Sequence, residues 1–129
     1  MNPYRVLVTG SRTWDNQDAI VGAIRQVRRE VDGRPITIVH GGCPTGADAI
    51  AAYLVRRASP SFGLTEEAHP ANWRPNGVLD RSAGFRRNAE MVNLGADLCL
   101  AFIKDGSRGA THTARLAEQA GIPVRRFTA

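Results

Sequence analysis

The stretch Ile36–Val55, ITIVHGGCPTGADAIAAYLV, decides the fold. Ile36 to Val39 is a short apolar run of the kind that is buried on both faces of a sheet. Gly41 and Gly42 break it, and a helix follows with Ile50, Leu54 and Val55 on its inward side, stopping near Ser59-Pro60. Strand, glycine loop and helix in that order form half of a parallel crossover unit. The same order recurs on either side. Upstream, Arg5 to Thr9 (RVLVT) ends at Gly10, and Asp15 or Asn16 can cap a helix carrying Ile20, Ile24, Val27 and Val31 before Gly33 and Pro35. Downstream come a weaker strand at Glu66 to His69 and the irregular stretch PANWRPNGVLDRSAG. A helix from Gly84 to Leu94 then puts Phe85, Ala89 and Val92 on one stripe. Leu98 to Phe102 is a strand, Thr111 to Ala120 a helix closed by Gly121 and Pro123, and Val124 to Phe127 the last strand.

Strands alternating with helices require a parallel sheet covered on both faces. Right-handed crossovers make this an α/β, open Rossmann-like three-layer sandwich with a mostly parallel sheet of about five strands. The expected order is 3-2-1-4-5, which reverses direction between the first and fourth strands. No linker or repeat divides the chain, so residues 1–129 are read as one domain.

Composition narrows the class. The chain has 129 residues, 43% of them hydrophobic and 22% charged, which is ordinary for a globular domain and too polar for a spanning helix. The N-terminal MNPYRVLVTG runs straight into a strand and lacks a signal-peptide pattern, and Cys43 and Cys99 are too few for a disulfide framework. A cytoplasmic location is expected. Of the 17 basic residues Lys104 is the single lysine, and the net charge is +5. Arginine suits bidentate binding of phosphate and carboxylate, so an anionic partner is expected and no membrane.

Ligands of open α/β sheets gather beyond the carboxyl ends of the strands, at the switch point. Three unusual loops fall there: Gly10-Ser11-Arg12, Gly41 to Asp48 (GGCPTGAD) and Asp105 to Thr111 (DGSRGAT). Glycines free backbone N–H groups to face an anion, and the helices starting there add their positive ends. Gly41, Gly42 and Gly46 supply backbone donors and Thr45 a hydroxyl, with Gly106, Ser107, Gly109 and Thr111 in the third loop. A phosphate-binding P-loop is excluded because GGCPTGAD has no lysine after its last glycine, and GxGxxG is missing after the first strand. His40 and Cys43 are metal-ligand types without a second pair, so neither a metal nor a cofactor is expected. Cys43, at a helix start, is either a nucleophile or a small packing residue.

The motifs GSR, VHGGCPTGAD, Ala71-x-Trp73, AGFRRNAEM (Ala83 to Met91) and AFIKDGSRGATHTARLAEQAGIPV together resemble the YspA-like branch of the SLOG superfamily, related to the Smf/DprA proteins and the "Lonely guy" (LOG) nucleotide hydrolases. The resemblance covers nearly the whole chain. It implies a Rossmann-like domain that binds a nucleotide or a nucleotide-derived ligand, of a kind found as sensors or effectors in conflict systems, phage-encoded ones included, and assembled as dimers or larger homo-oligomers. Arg87-Asn88 with Met91 is similar to the arginine-bearing helix of LOG enzymes, with asparagine where they have lysine. GSRGATHT is similar to their glycine loop, with Thr113 where they have a catalytic glutamate.

Each site residue carries a second, purely structural meaning. Arg12 binds phosphate or is a surface arginine. Of Arg86 and Arg87, about 100° apart on a helix, one can face the cleft, and the resemblance selects Arg87. Asn88 reaches a ribose or base edge, or ties down a loop. Asp48 is a helix-capping carboxylate, a ribose acceptor or a residual catalytic carboxylate beside Arg87. Trp73 stacks on a base or anchors its loop. Asp80 and Arg81 belong to a candidate lid, and His69 and His112 form no triad. Three functions follow in order. The first is a nucleotide-binding sensor or sequestering protein, for an ADP-ribose-like or nucleoside-phosphate ligand. The second is a LOG-like nucleoside 5′-monophosphate hydrolase using Arg87 with Asp48 or Glu90. The third is single-stranded nucleic-acid binding.

Overall fold

A computed structural model describes residues 2–129. Nine regular elements alternate along it: β1 (Tyr4–Gly10), α1 (Gln17–Glu30), β2 (Ile36–His40), α2 (Gly46–Arg57), β3 (Leu64–Ala68), α3 (Ala83–Asn93), β4 (Leu98–Ile103), α4 (Arg108–Gln119) and β5 (Val124–Thr128). The five strands form one parallel sheet in the order β3-β2-β1-β4-β5, as the alternation of apolar runs and helices requires. β1 pairs with β2 on one side, Tyr4 opposite Ile36, and with β4 on the other, Val6 opposite Leu98 and Gly10 opposite Phe102. The crevice between the loops leaving β1 and β4 is the switch point.

The two sheet faces bury different side chains of the same strands. Val6, Val8, Ile36, Ile38, Leu100 and Phe102 pack under α1 and α2 with Ile20, Ile24, Val27, Ala51 and Val55. Leu7, Val39 and Cys99 face Met91 and Val92 of α3 and Ala117 of α4. Burial pushes the Cys99 thiol up to about 12, so it stays neutral in the core. Asn16 caps α1 by accepting from the Ala19 N–H at 3.1 Å. On the α3 face Arg5 crosses the sheet from β1 to form two hydrogen bonds with Glu67 of β3, at 2.8 and 2.9 Å, and a third to the Gly95 carbonyl. No helix among the described residues is long and apolar enough to cross a membrane.

Two expectations about helix faces need correction. The buried side of α3 runs through Gly84, Asn88, Met91 and Val92, while Phe85 is 44% exposed, because an edge-on contact with His112 holds its ring over the start of α4. α4 begins at Arg108 rather than Thr111, so Gly109 and Thr111 lie in its first turn and not in a loop. Small residues hid that start: Gly109 and Ala110 give no apolar period, yet Ala110, Thr113, Ala114 and Ala117 form the buried stripe.

Candidate functional site

The loops at the carboxyl ends of β1, β2, β3 and β4 enclose a cleft of about 960 Å³. Ser11 sets their spacing. Its N–H donates to the Phe102 carbonyl (2.9 Å), its Oγ accepts from the Lys104 N–H (2.8 Å), and its own carbonyl accepts from Ala47 N–H (3.3 Å). One buried serine thus fastens the first loop to the two on either side. The fit leaves no space for side chains: a Cβ on Gly46, at φ +74°, would lie 2.2 Å from the Ser11 carbonyl oxygen, and one on Gly10 would lie 2.3 Å from Ala47 Cβ.

The second loop wraps around side chains of its own. Asp48, in the first turn of α2 and 7% exposed, accepts through Oδ2 from the Cys43 N–H at 3.3 Å. Gly42 N–H donates to Nδ1 of His40 (3.0 Å), which is 2% exposed. Strand alternation sends His40 to the α2 side with Ile36 and Ile38, where its Nε2 lies 3.7 Å from Glu66 Oε1. Glu66 in turn pairs with Arg56 at 2.7 Å, which holds its carboxyl below the usual range. Asp48 Oδ1, His40 Nε2 and Glu66 Oε2 are buried without a hydrogen-bond partner. Burial pushes the Asp48 carboxyl above the ordinary carboxylate range, against the pull of His40, the Cys43 amide and Arg87. Of the amides expected to meet a ligand anion, that of Gly42 is therefore engaged by His40, and the neighbouring Cys43 amide is engaged by Asp48.

Arg87 forms the facing wall. Its Nη1 donates to the carbonyls of Gly41 and of His69 (3.3 Å), and its Nε donates to Asn88 Oδ1 (2.8 Å), which ties α3 to the ends of β2 and β3. Burial draws its guanidinium below the usual range, and Asp48 opposes that shift. Arg86, the adjacent arginine, is exposed and pairs with Asp80, which also accepts from Ser82 Oγ at 2.8 Å. Trp73 lies against α3 because Gly84 has no side chain, a Cβ there being 2.9 Å from its ring. The Arg12 guanidinium covers the ring, 5.5 Å from its centroid. On the fourth side α4 starts without a side-chain cap, and the N–H groups of Arg108, Gly109 and Ala110 have no partner among the described residues.

Of the sequence-selected residues, Gly10, Ser11, Arg12, Gly41, Gly42, Thr45, Asp48, Trp73, Arg87, Asn88, Ser107 and Gly109 line this cleft. Gly46, Gly106 and Thr111 do not. Gly46 packs beneath the first loop, Gly106 makes the left-handed turn after β4 at φ +63°, and Thr111 bonds its amide to Ser107 within the helix. Thr113 is fully buried and bonds to the Gly109 carbonyl at 3.0 Å, away from the cleft. Cys43 is half-buried, its sulfur 4.0 Å from Thr45 Oγ1, and His69 pairs with Glu67 at 2.7 Å. The sequence reading missed Lys104, Phe85 and Met91 in the walls, and the polar line of His40 and Glu66 beneath Asp48. The place of His40 one step past Ile36 and Ile38 in the same alternation was the signal for it.

An all-parallel, doubly wound sheet with its recognition loops gathered at the strand carboxyl ends defines an open Rossmann-like α/β domain. Within that class the chain belongs to the YspA, cpYpsA-related SLOG family, whose model matches residues 4–75. It is 42% identical over 127 residues to the Gene 61 protein of Mycobacterium phage D29, covering 95% of each chain. Among solved structures it is similar to the C-terminal domain of a hydrogenase from Pyrococcus furiosus, at 17% identity and a TM-score of 0.40 over 98% of this chain and 92% of that one, too distant to bear on function.

Proposed function

We propose that this chain binds a nucleotide or nucleotide-derived small molecule in the cleft, as a sensor or sequestering protein. The supporting observation is that one cleft holds three unlike recognition elements. An uncapped helix start with Arg12 and Lys104 suits an anion, a buried carboxylate with a free oxygen suits a hydroxyl or amine donor, and an aromatic ring suits a flat base. Because Asp48 already fills the Gly41–Cys43 turn, the phosphate goes to the α4 side, where the free amides are. The Asp48 carboxyl, in the cleft wall, then accepts from a sugar hydroxyl. Arg12 moves from the Trp73 ring to the phosphate, leaving the ring face to the base. Calorimetric titration with AMP, ADP-ribose, NAD and cyclic nucleotides tests this. Binding of at least one, weakened about tenfold or more by Arg12→Gln or Trp73→Ala, is expected. Absence of both heat and thermal stabilisation across the panel refutes it.

A second reading, N-glycosidic hydrolysis of a nucleoside 5′-monophosphate, is favoured by one observation. Asp48 is a cleft carboxyl whose pKa is raised and which faces Arg87. A carboxylate stabilises the oxocarbenium-like state of glycosidic cleavage. Chromatographic release of free base, abolished in Asp48→Asn, supports hydrolysis; binding without release supports a sensor or sequestering role.

A further inference from the structure

The mouth of the cleft is set with arginines that the rest of the molecule does not use. Elsewhere most arginines have partners: Arg5 pairs with Glu67, Arg56 with Glu66, Arg125 with Glu30 and Arg126 with Glu118, while Arg28, Arg29 and Arg34 bond to carbonyl or amide oxygens and Arg57 covers Tyr53. Five have none among the described residues, and besides Arg25 and Arg115 these are three near the cleft. Arg74 and Arg81, in the segment joining β3 to α3, and Arg108, the first residue of α4, are exposed. Among the described residues their side chains have neither an acidic partner nor a hydrogen bond, and Arg12 only covers the Trp73 ring. Arg74 follows the wall residue Trp73 directly, and Arg108 sits between the wall residues Ser107 and Gly109. The edge-on contact of Phe85 with His112, 4.8 Å between centroids, fastens the start of α3 to α4, so the segment bearing Arg81 and the helix start bearing Arg108 flank one corner.

The acids nearby do not cancel this charge. Asp80 is committed to Arg86 and Ser82, Asp15 lies 3.5 Å from Lys104, and Asp105 is the one wall carboxylate besides the buried Asp48. A scattered exposed arginine is solvated and needs no explanation. Four without an acidic partner around one opening focus a positive field into a low-dielectric cleft. The cleft's 960 Å³ is at the upper end of the roughly 300–1,000 Å³ typical of small-molecule sites, which leaves space beyond an inner phosphate.

We propose that the ligand carries a chain of two or more phosphoryl groups, the inner one at Arg12 and the start of α4, the outer ones gripped by Arg74, Arg81 and Arg108. This rests on the nucleotide reading above and extends it from a nucleotide to a polyphosphorylated or pyrophosphate-bridged one. Guanidinium groups take phosphoryl oxygens in pairs, so the outer arginines discriminate by phosphate number rather than by base.

The test is calorimetric titration with AMP, ADP and ADP-ribose, and with a short oligothymidylate, for the native chain and for a double Arg74→Gln, Arg81→Gln variant. Both substitutions are at exposed positions, and thermal melting checks that the fold is kept. ADP or ADP-ribose is expected to bind about tenfold or more tightly than AMP. The variant is expected to lose that margin while its AMP affinity stays within about twofold. Equal affinity for AMP and ADP, or equal loss of both in the variant, overturns the inference and leaves the nucleotide reading intact. Tighter binding of the oligothymidylate than of any mononucleotide also overturns it, in favour of a nucleic-acid strand. If no compound binds, the nucleotide reading fails and this inference with it.

Discussion

Asp48→Asn makes the protein more stable at neutral pH, because the native carboxylate occupies a place where burial opposes its charge. Asp48 is 7% exposed, and one of its oxygens has no partner. An unsatisfied buried polar atom costs about 1–3 kcal/mol, and more when charged. The amide oxygen of asparagine can still accept from Cys43, so the loop keeps its bond, while Arg87 loses a facing charge that offsets part of the gain. The net expectation is a gain of about 1–2 kcal/mol at pH 7, or roughly 4 °C per kcal/mol in melting temperature for a chain of this length. The sign follows from the raised pKa. The folded state binds the Asp48 proton more readily than the unfolded one, so native stability from this group is full below the unfolded value of about 3.8. It is lost as pH rises toward the folded value. The advantage of the variant therefore shrinks toward zero near pH 4. Urea unfolding of both proteins from pH 4 to pH 8 measures this. A variant less stable than the native chain at pH 7, by an amount independent of pH, refutes the reasoning and makes Asp48 a structural cap.

Three other outcomes follow from the same contacts. Arg87→Lys keeps a charge but loses the bridge to the Gly41 and His69 carbonyls, and is expected to cost about 1–3 kcal/mol in urea unfolding. Gly46→Ala, forced against the Ser11 carbonyl at positive φ, is expected to cost more than about 2 kcal/mol, whereas Gly22→Ala, exposed in α1 with nothing within 4 Å, gains about 0.5–1 kcal/mol; equal effects contradict the packing described for the first loop. Arg5 and His69 hold the Glu67 carboxyl down to about 2, so its contribution is present above about pH 4.5 and lost as pH falls toward 2. Discounted for its partial exposure, Glu67→Gln costs about 1 kcal/mol at pH 7 and nothing near pH 2, as acid titration of melting temperature reports.

The sheet order was legible because the three central strands β1, β2 and β4 are apolar runs ending in loops punctuated by glycine or polar residues, while the edge strands LTEEA and VRRFT are short and half polar. Positions where tertiary packing overrides pattern were not. Phe85 reads as core by spacing, but the sheet side of α3 is taken by Gly84 and Met91, and the ring is left to meet His112. The start of α4 was hidden by residues too small to show a period. At the site, the sequence located most of the cleft wall through glycine loops and the Arg87 helix. It misjudged which amides remain free, since nothing in GGCPTGAD reveals that Asp48 and His40 turn back to occupy them. Only the folded register brings a strand-end histidine, a helix-start aspartate and an edge-strand glutamate into one buried line.

The place where a nucleotide would touch the protein is read most directly from amide shifts. In an ¹⁵N–¹H spectrum titrated with ADP-ribose, the amides of Arg108, Gly109 and Ala110 and the Trp73 indole are predicted to move first and furthest, with the Trp14 indole, sealed against Phe102, unmoved. Shifts confined to the opposite end of the sheet, or to the shallow groove between Trp14 and Tyr53, contradict it.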